Sequence, residues 1–178
     1  MTEYAEVLAR DTVRIERTLP GPIERVWAYL TEPDKRAQWF AGGPMDLKPG
    51  GKAELRFHNN KLTPGDDKPT GKFEKYGGEF AMKSRVTACE PPRLLAYTFG
   101  EEDGSSSEVR FELSPKAGKV HLVVTHSRLA DRDGMLSVSG GWHAHLDILV
   151  ALLEGRDPPK FWRNHAKLDA EYDKRLPR

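Results

Sequence analysis

The chain has 178 residues, the usual size of one globular domain, and carries 28 Lys and Arg against 27 Asp and Glu. A net charge of +1 gives no general attraction to nucleic acid or to anionic membranes, so we expect neither as a partner. The single cysteine, Cys89, excludes an internal disulfide, and the first residues lack the apolar run of a signal peptide. We therefore expect a small cytoplasmic protein.

The first elements predicted along the chain are a strand and two short helices. Residues 12–19 alternate apolar and polar side chains, which is the period of a half-buried strand. A proline–glycine–proline turn ends this strand, and apolar residues at helical spacing over 23–30 predict a short helix. Thr31 resembles the cap of a second short helix that ends near Phe40. The pair lacks a basic recognition face, so it does not indicate a DNA-binding motif.

The next part of the chain predicts short strands joined by turns rather than strands that alternate with helices. The stretches assigned as strands are residues 45–47, 52–58, 72–76, 80–88, 94–99, 108–113 and 121–126. The stretch at 94–99 is apolar on both faces, which is typical of a central strand. Two polar segments are interpreted as loops: 59–71 as a mobile loop at the mouth of a cavity, and 100–106 as a hairpin loop.

The longest apolar segment, residues 139–155, has apolar side chains at helical spacing and predicts a long helix with one broad buried face. Ser137 or Ser139 is a suitable cap for its start, and Gly155 with the following prolines ends it. Residues 129–136 then link the helix to the last strand. We predict an α+β fold in which a curved antiparallel sheet wraps around this helix.

The C-terminal tail, residues 156–178, again shows apolar side chains at helical spacing and predicts a second amphipathic helix. In the simplest interpretation this helix packs Phe161, Trp162 and Leu168 on its own domain, and a dimer contact or a lid is the alternative. We therefore expect one domain, residues 1–155, with a packed helical tail, as a monomer or a homodimer.

Several segments resemble, in the same order, those of the START-like helix-grip (SRPBCC) superfamily. IERTLPGPIERVWAYLTEPDKRAQWF resembles its opening strand and two short helices, and MDLKPGGKAEL resembles a Pro-Gly-Gly turn. RVTACEPPRLLAYTF is similar to a Glu-x-Pro-x-Arg-Leu strand turn. VHLVVTHSRL followed by GGWHAHLDIL resembles the last strand and the Gly-Trp opening of the long helix. The match spans residues 13–154 and is closest to the branch similar to the C-terminal domain of the heat-shock-protein-90 ATPase activator.

The resemblance implies a sheet that grips the long helix and often leaves a cavity for an apolar ligand. It does not imply one function, because the relatives include lipid carriers, hormone receptors, polyketide aromatases and cyclases, and co-chaperone domains.

Strand and helix periodicity indicates which side chains face the space between sheet and helix. Aromatic and aliphatic groups dominate that set, as either an apolar-ligand pocket or an ordinary filled core requires. The predicted ligand contacts are Trp39, Phe40, Phe57, Phe80, Met82, Tyr97, Phe111, His126, Trp142, Leu146 and Leu149.

Among these, His126 is the main inward-facing ionisable residue. It would orient a polar end of the ligand, although a neutral histidine bonded to a neighbouring hydroxyl is the simpler interpretation. If the protein is an enzyme, His126 or His145 would be the general acid or base and Tyr97 a donor. We predict no metal or other cofactor, because His143, His145 and Asp147 alternate around a helix and cannot chelate one ion together.

Three functions therefore stay open. The leading hypothesis is a binding protein for an apolar or aromatic small molecule, a role that needs no catalytic activity. The alternatives are a polyketide cyclase- or hydrolase-type enzyme that uses a cavity histidine, and a co-chaperone-like interaction module with a filled core. Cavity volume and the partners of the histidines distinguish them.

Overall fold

The computed structural model describes residues 3–100 and 106–178, and the strands in them form one antiparallel sheet that curves around a long helix. The strands are β1 (Glu6–Ala9), β2 (Thr12–Pro20), β3 (Lys52–His58), β4 (Glu79–Glu90), β5 (Leu94–Phe99), β6 (Ser107–Lys116) and β7 (Lys119–Ser127). The helices are α1 (Ile23–Thr31), α2 (Pro33–Arg36), α3 (Arg132–Leu153) and α4 (Phe161–Arg175). The predicted hairpin loop at 100–106 falls mostly on residues 101–105, outside the described residues.

The strand order is β1-β2-β7-β6-β5-β4-β3, so β1 and β3 are the two edges of an open sheet. From β4 to β7 each strand pairs with the next in sequence, as predicted for a meander. Helices α1 and α2 carry the chain from β2 across to β3 at the far edge. In β2 the alternation buries Val13, Ile15 and Leu19 against α3 and leaves polar residues on the outer face. The predicted α+β helix-grip fold is confirmed.

Helix α3 begins seven residues earlier than predicted, at Arg132 instead of residue 139. Asp131 is its cap, and its carboxylate accepts a hydrogen bond from the Gly134 amide at 2.8 Å. The assignment of residues 129–136 as a linker and of Ser137 or Ser139 as the cap was wrong. Gly140 and Gly141, taken as helix-opening residues, lie mid-helix. A Cβ at Gly140 would lie 3.9 Å from the backbone of Asp169, which is an ordinary van der Waals contact, so α3 and α4 lie close together here.

By length and composition, α3 is the one helix in residues 3–100 and 106–178 that could cross a membrane. Its place in the fold argues for a different role, because 67% of its most apolar stretch is buried inside the protein. The long apolar stretch of α3 therefore suits a core helix that fills the concave face of the sheet.

Other local predictions also needed correction. Strand β1 precedes the strand predicted as first, and α2 ends at Arg36 instead of near Phe40. Residues 72–76, assigned as a strand, belong to a 3-10 helix, Gly71–Tyr76. Residues 45–47 form an isolated bridge, not a strand. Each is a short segment for which neighbouring contacts outweigh local preference.

The segment 59–77, which we call the clasp segment, is held against the start of α4. Thr63 Oγ1 accepts a hydrogen bond from the Phe161 amide at 3.0 Å, and Asn60 Oδ1 accepts one from the Trp162 indole at 2.9 Å. Residues 59–71 were predicted to be a mobile loop, and the structure instead ties them to the tail. The composition of the segment is that of a loop, but composition does not reveal partners 100 residues away.

Asp66 of the clasp segment caps α4 from a distance. Its carboxylate accepts hydrogen bonds from the amides of Trp162 at 2.7 Å and Arg163 at 3.2 Å. Lys160, which occupies the N-cap position, makes no such bond through its side chain. Asp66 therefore supplies both the acceptors and the negative charge that a helix start favours.

Replacing Asp66 with alanine is expected to lower the free energy of unfolding by about 1–2 kcal/mol, the usual cost of losing a helix cap. Hydrogen exchange at the Trp162 and Arg163 amides should accelerate, as measured by mass spectrometry or NMR. Asp66→Asn keeps an oxygen acceptor and should lose less than alanine does. Unchanged exchange at both amides in Asp66→Ala would show that the clasp segment does not hold α4.

Candidate ligand pocket

A pocket of about 190 Å³ lies between α3, the start of α4, the clasp segment and strands β3 and β4 at one edge of the sheet. Its walls are mainly aromatic, with few polar groups. The lining residues are Phe40, Phe57, Asn59, Phe73, Tyr76, Phe80, Met82, Phe99, Ser137, Val138, Gly141, Trp142, His145, Phe161, Trp162 and His165.

One wall is an aromatic cluster that the sheet register builds. Phe57 of β3 lies directly opposite Phe80 of β4, and their rings stack with centroids 4.7 Å apart. Phe40, which follows α2, meets Phe57 edge-on at 5.1 Å and Trp142 of α3 at 4.8 Å. Such ring pairs contribute about 0.5–1.5 kcal/mol each beyond simple burial, which favours this arrangement of the wall.

The structure places the predicted ligand contacts in two groups. Five of them line the pocket: Phe40, Phe57, Phe80, Met82 and Trp142. The other six are buried outside the lining: Trp39, Tyr97, Phe111, His126, Leu146 and Leu149. Periodicity identifies inward-facing residues, but the pocket occupies one end of the space between sheet and helix, and the core fills the rest.

His126 positions Trp142 instead of lining the pocket. Its Nδ1 accepts a hydrogen bond from the Trp142 indole at 3.0 Å, so Nε2 carries the proton and donates to Ser107 Oγ at 2.7 Å. Burial lowers the pKa of His126 to about 3, which keeps the ring neutral. Both ring nitrogens are occupied, as in the simpler interpretation of this residue, and the predicted contact with a ligand's polar end is not supported.

His145 does line the pocket, and its tautomer is set by the backbone. Its Nδ1 lies 2.8 Å from the Trp39 carbonyl oxygen. Because a carbonyl only accepts, Nδ1 carries the proton and Nε2 has a free lone pair. Burial lowers the pKa of His145 to about 3, so the ring is neutral near physiological pH. The rings of Phe40 and Phe161 flank it at 5.1 and 4.6 Å.

Sequence reasoning missed the wall made by the clasp segment and α4. Phe73, Phe161, Trp162 and His165 belong to it, and the His165 ring lies 4.6 Å from that of Phe73. Burial lowers the pKa of His165 as well. Phe161 and Trp162 pack on their own domain, as the simplest interpretation of the tail has it, and they also enclose the pocket. The sequence signal for this wall was the presence of aromatic residues in the clasp segment, which is otherwise polar.

The arrangement does not assemble the residues that the enzymatic alternative needs. Of His126, His145 and Tyr97, His145 lines the pocket, and burial raises the pKa of Tyr97 well above its ordinary value. A histidine with a pKa of about 3 is poorly matched to general acid or base catalysis near neutral pH. Within the described parts of the chain, no group of three or more His, Cys, Asp or Glu residues could hold a metal ion.

Comparison with known proteins places these features in a family. Residues 20–154 match the family described as Activator of Hsp90 ATPase homolog 1-like protein. No curated protein matches the sequence. A Bordetella parapertussis protein of known solution structure is 45% identical, with 97% of this chain and 90% of that chain covered at a TM-score of 0.81. That coverage extends past the family match, so most of the C-terminal tail has a counterpart there.

Two more distant structures share the fold. CalU16 from Micromonospora echinospora is 22% identical, with 92% of this chain and 86% of that chain covered at a TM-score of 0.65. A conserved Enterococcus faecalis protein of unknown function is 20% identical, with 95% and 87% covered at a TM-score of 0.69. The helix-grip architecture and the match over residues 20–154 agree, and the chain belongs to the Activator of Hsp90 ATPase homolog 1-like family.

Proposed function

We propose that this protein binds a small apolar or aromatic molecule in the pocket between α3 and the β3–β4 edge of the sheet. The pocket itself carries the proposal, because its walls are aromatic and its volume is about 190 Å³. An apolar cavity of about 150 Å³ is large enough to hold benzene. Pockets for drug-sized ligands are larger, roughly 300–1,000 Å³, so a single ring fits better than a lipid chain.

The pocket also favours this function over the interaction-module alternative, which predicts a filled core. In the described residues the exposed large apolar side chains are Val7, Leu8, Leu47 and Tyr76, which offer little continuous apolar surface for a protein partner. The near-neutral charge and single cysteine are compatible with a cytoplasmic setting.

Native mass spectrometry of the gently purified protein, compared with its denatured mass, tests the proposal first. A stoichiometric adduct that is lost on denaturation supports an occupied pocket, and the same spectrum distinguishes monomer from dimer.

Gly141 offers a direct test of the binding place. A Cβ added there meets no atom within 4 Å, and the residue lines the pocket from the middle of α3. Gly141→Leu should fill the pocket and weaken binding of phenol or toluene by about tenfold or more. Stability should hold or rise by up to about 1 kcal/mol, because leucine favours a helix more than glycine does. Calorimetric titration and urea unfolding measure the two effects.

Two variants control this experiment. Gly141→Ala adds one methyl group and should have a smaller effect on binding. Gly78→Leu places the same side chain where a Cβ also meets nothing, outside the pocket lining, and should leave binding unchanged. Wild-type affinity in a stable Gly141→Leu variant would place any bound ligand elsewhere.

A further inference from the structure

The polar atoms of the pocket narrow the class of ligand. We propose that the ligand is a neutral aromatic ring with a hydrogen-bond donor, of the phenol class, and that this donor binds Nε2 of His145. The inference rests on the proposed binding function and adds a requirement that the apolar walls alone do not impose.

His145 supplies the acceptor. The Trp39 carbonyl fixes the proton on Nδ1, which leaves the lone pair on Nε2 as the remaining polar atom of the ring. Among the hydrogen bonds of the described residues, His145 makes this single one. The residue is 6% exposed and Nε2 keeps some accessible surface, so a donor can reach this atom. A ligand hydroxyl would donate to this lone pair, whereas a purely apolar ring of the same shape would displace water from it and leave it without a donor.

Two further groups support a donor-bearing ligand. Asn59 also lines the pocket, is 6% exposed, and its Oδ1 is a buried acceptor with no partner among the described residues. His165 lines the same pocket, and as a neutral imidazole it offers one donor and one acceptor. A hydroxyl, which both donates and accepts, suits this combination of groups.

The same lining disfavours an anionic ligand. No lysine or arginine is among the residues that line the pocket, and burial keeps the His145 ring uncharged. Lys72 lies 5.0 Å over the Phe73 ring, but its exposed side chain stays outside the lining. A carboxylate placed in the pocket would therefore lose its water without gaining a counter-charge.

The test compares phenol, toluene and benzoate, three single rings that differ in one substituent. In calorimetric or NMR titrations, phenol should bind about tenfold tighter than toluene, and benzoate should bind weakest. In ¹⁵N-detected histidine spectra, the Nε2 resonance of His145 should shift with phenol and stay in place with toluene.

The outcomes separate the two proposals. Toluene binding as tightly as phenol, or benzoate binding tightest, would overturn the inference about ligand class while leaving the binding function in place. Failure of all three rings to bind would overturn the proposed function and this inference with it.

His145→Phe provides the matched variant, because it keeps an aromatic ring and removes Nε2. In this variant the ratio of phenol affinity to toluene affinity should fall to about one, whatever the change in overall affinity. If this variant fails to fold, the wild-type Nε2 resonance decides alone: no shift on saturation with phenol would overturn the proposed contact.

Discussion

Replacing Arg36 with methionine is expected to lower the free energy of unfolding by about 3–5 kcal/mol, the usual cost of removing one partner from a buried charged hydrogen-bond network. Arg36 is a charged residue that is 0% exposed, and burial lowers the pKa of its guanidinium below the ordinary value. Methionine fits a similar space but provides no hydrogen-bond donor.

The large effect follows from the hydrogen bonds that the guanidinium group makes. It donates to the backbone carbonyls of Ala41 at 2.7 Å, Gly42 at 3.0 Å and Gly43 at 2.6 Å, and more weakly to Thr31 at 3.5 Å. These bonds shape the turn that follows α2 and carries Phe40 into the pocket wall. Without Arg36, several buried carbonyls lose their donors together.

Urea unfolding measures this change, with Lys35→Met as the control. Lys35 is the neighbour of Arg36 and forms an exposed ion pair with Glu32 at 3.2 Å, so its loss should cost about 0–1 kcal/mol. Arg36→Lys should recover only part of the lost stability, since an ammonium group cannot reach several carbonyls at once. If Arg36→Met and Lys35→Met unfolded at the same urea concentration, the stabilising role of Arg36 would be refuted.

Stability is also expected to fall steeply as the pH drops from about 6.5 towards 4, because four buried histidines stay neutral in the folded protein. Burial lowers the pKa of His126 and His145 to about 3 and that of His143 to about 4, and it lowers the pKa of His165 as well. His143 is held by a hydrogen bond between its Nδ1 and the Tyr172 hydroxyl at 2.9 Å.

The direction of this pH dependence follows from proton uptake by the unfolded chain. Between the unfolded pKa near 6.5 and these lowered values, the unfolded chain binds protons that the folded protein does not. Acid therefore favours unfolding by about 1.4 kcal/mol per pH unit for each histidine. Burial raises the pKa of Asp147, so this carboxyl takes up a proton more readily in the folded state and opposes the trend in part. At pH 5 we expect the unfolded chain to bind about two to three more protons than the folded protein, and this difference sets the slope of the free energy of unfolding against pH.

Urea unfolding at about pH 7.5, 6.5 and 5.5 measures the slope, with a loss of roughly 3–4 kcal/mol expected across that range. In His145→Phe the slope should decrease by about one proton, because one of the four buried histidines is gone. Equal stability at all three pH values would mean that these histidines are protonated or exposed in the folded protein.

The residues that sequence patterns describe well are those whose role depends on near neighbours. Period-two alternation in residues 12–19 and 52–58 identified strands β2 and β3, and the helical spacing of Phe161, Leu168 and Tyr172 identified α4. The long apolar run around Trp142 identified the core helix, although its capped start, seven residues earlier, escaped the same pattern.

Arg36, Asp66 and His145 show what the sequence left undetermined. Nothing near Arg36 indicates that its partners are carbonyls of the next turn, and nothing near Asp66 indicates a helix start 96 residues later. The proton of His145 lies on Nδ1 because of the Trp39 carbonyl, a backbone atom 106 residues away, and this leaves Nε2 as the acceptor.

The sequence by itself determined the α+β helix-grip class, the order of its elements and the aromatic character of the interior, because periodicity and turn residues act over short distances. The tertiary structure alone decided which inward side chains line an open pocket and which fill the core. It also decided the protonation of the buried histidines. Both depend on packing between segments far apart in the chain, above all the clasp segment and α4 closing over one end of the sheet.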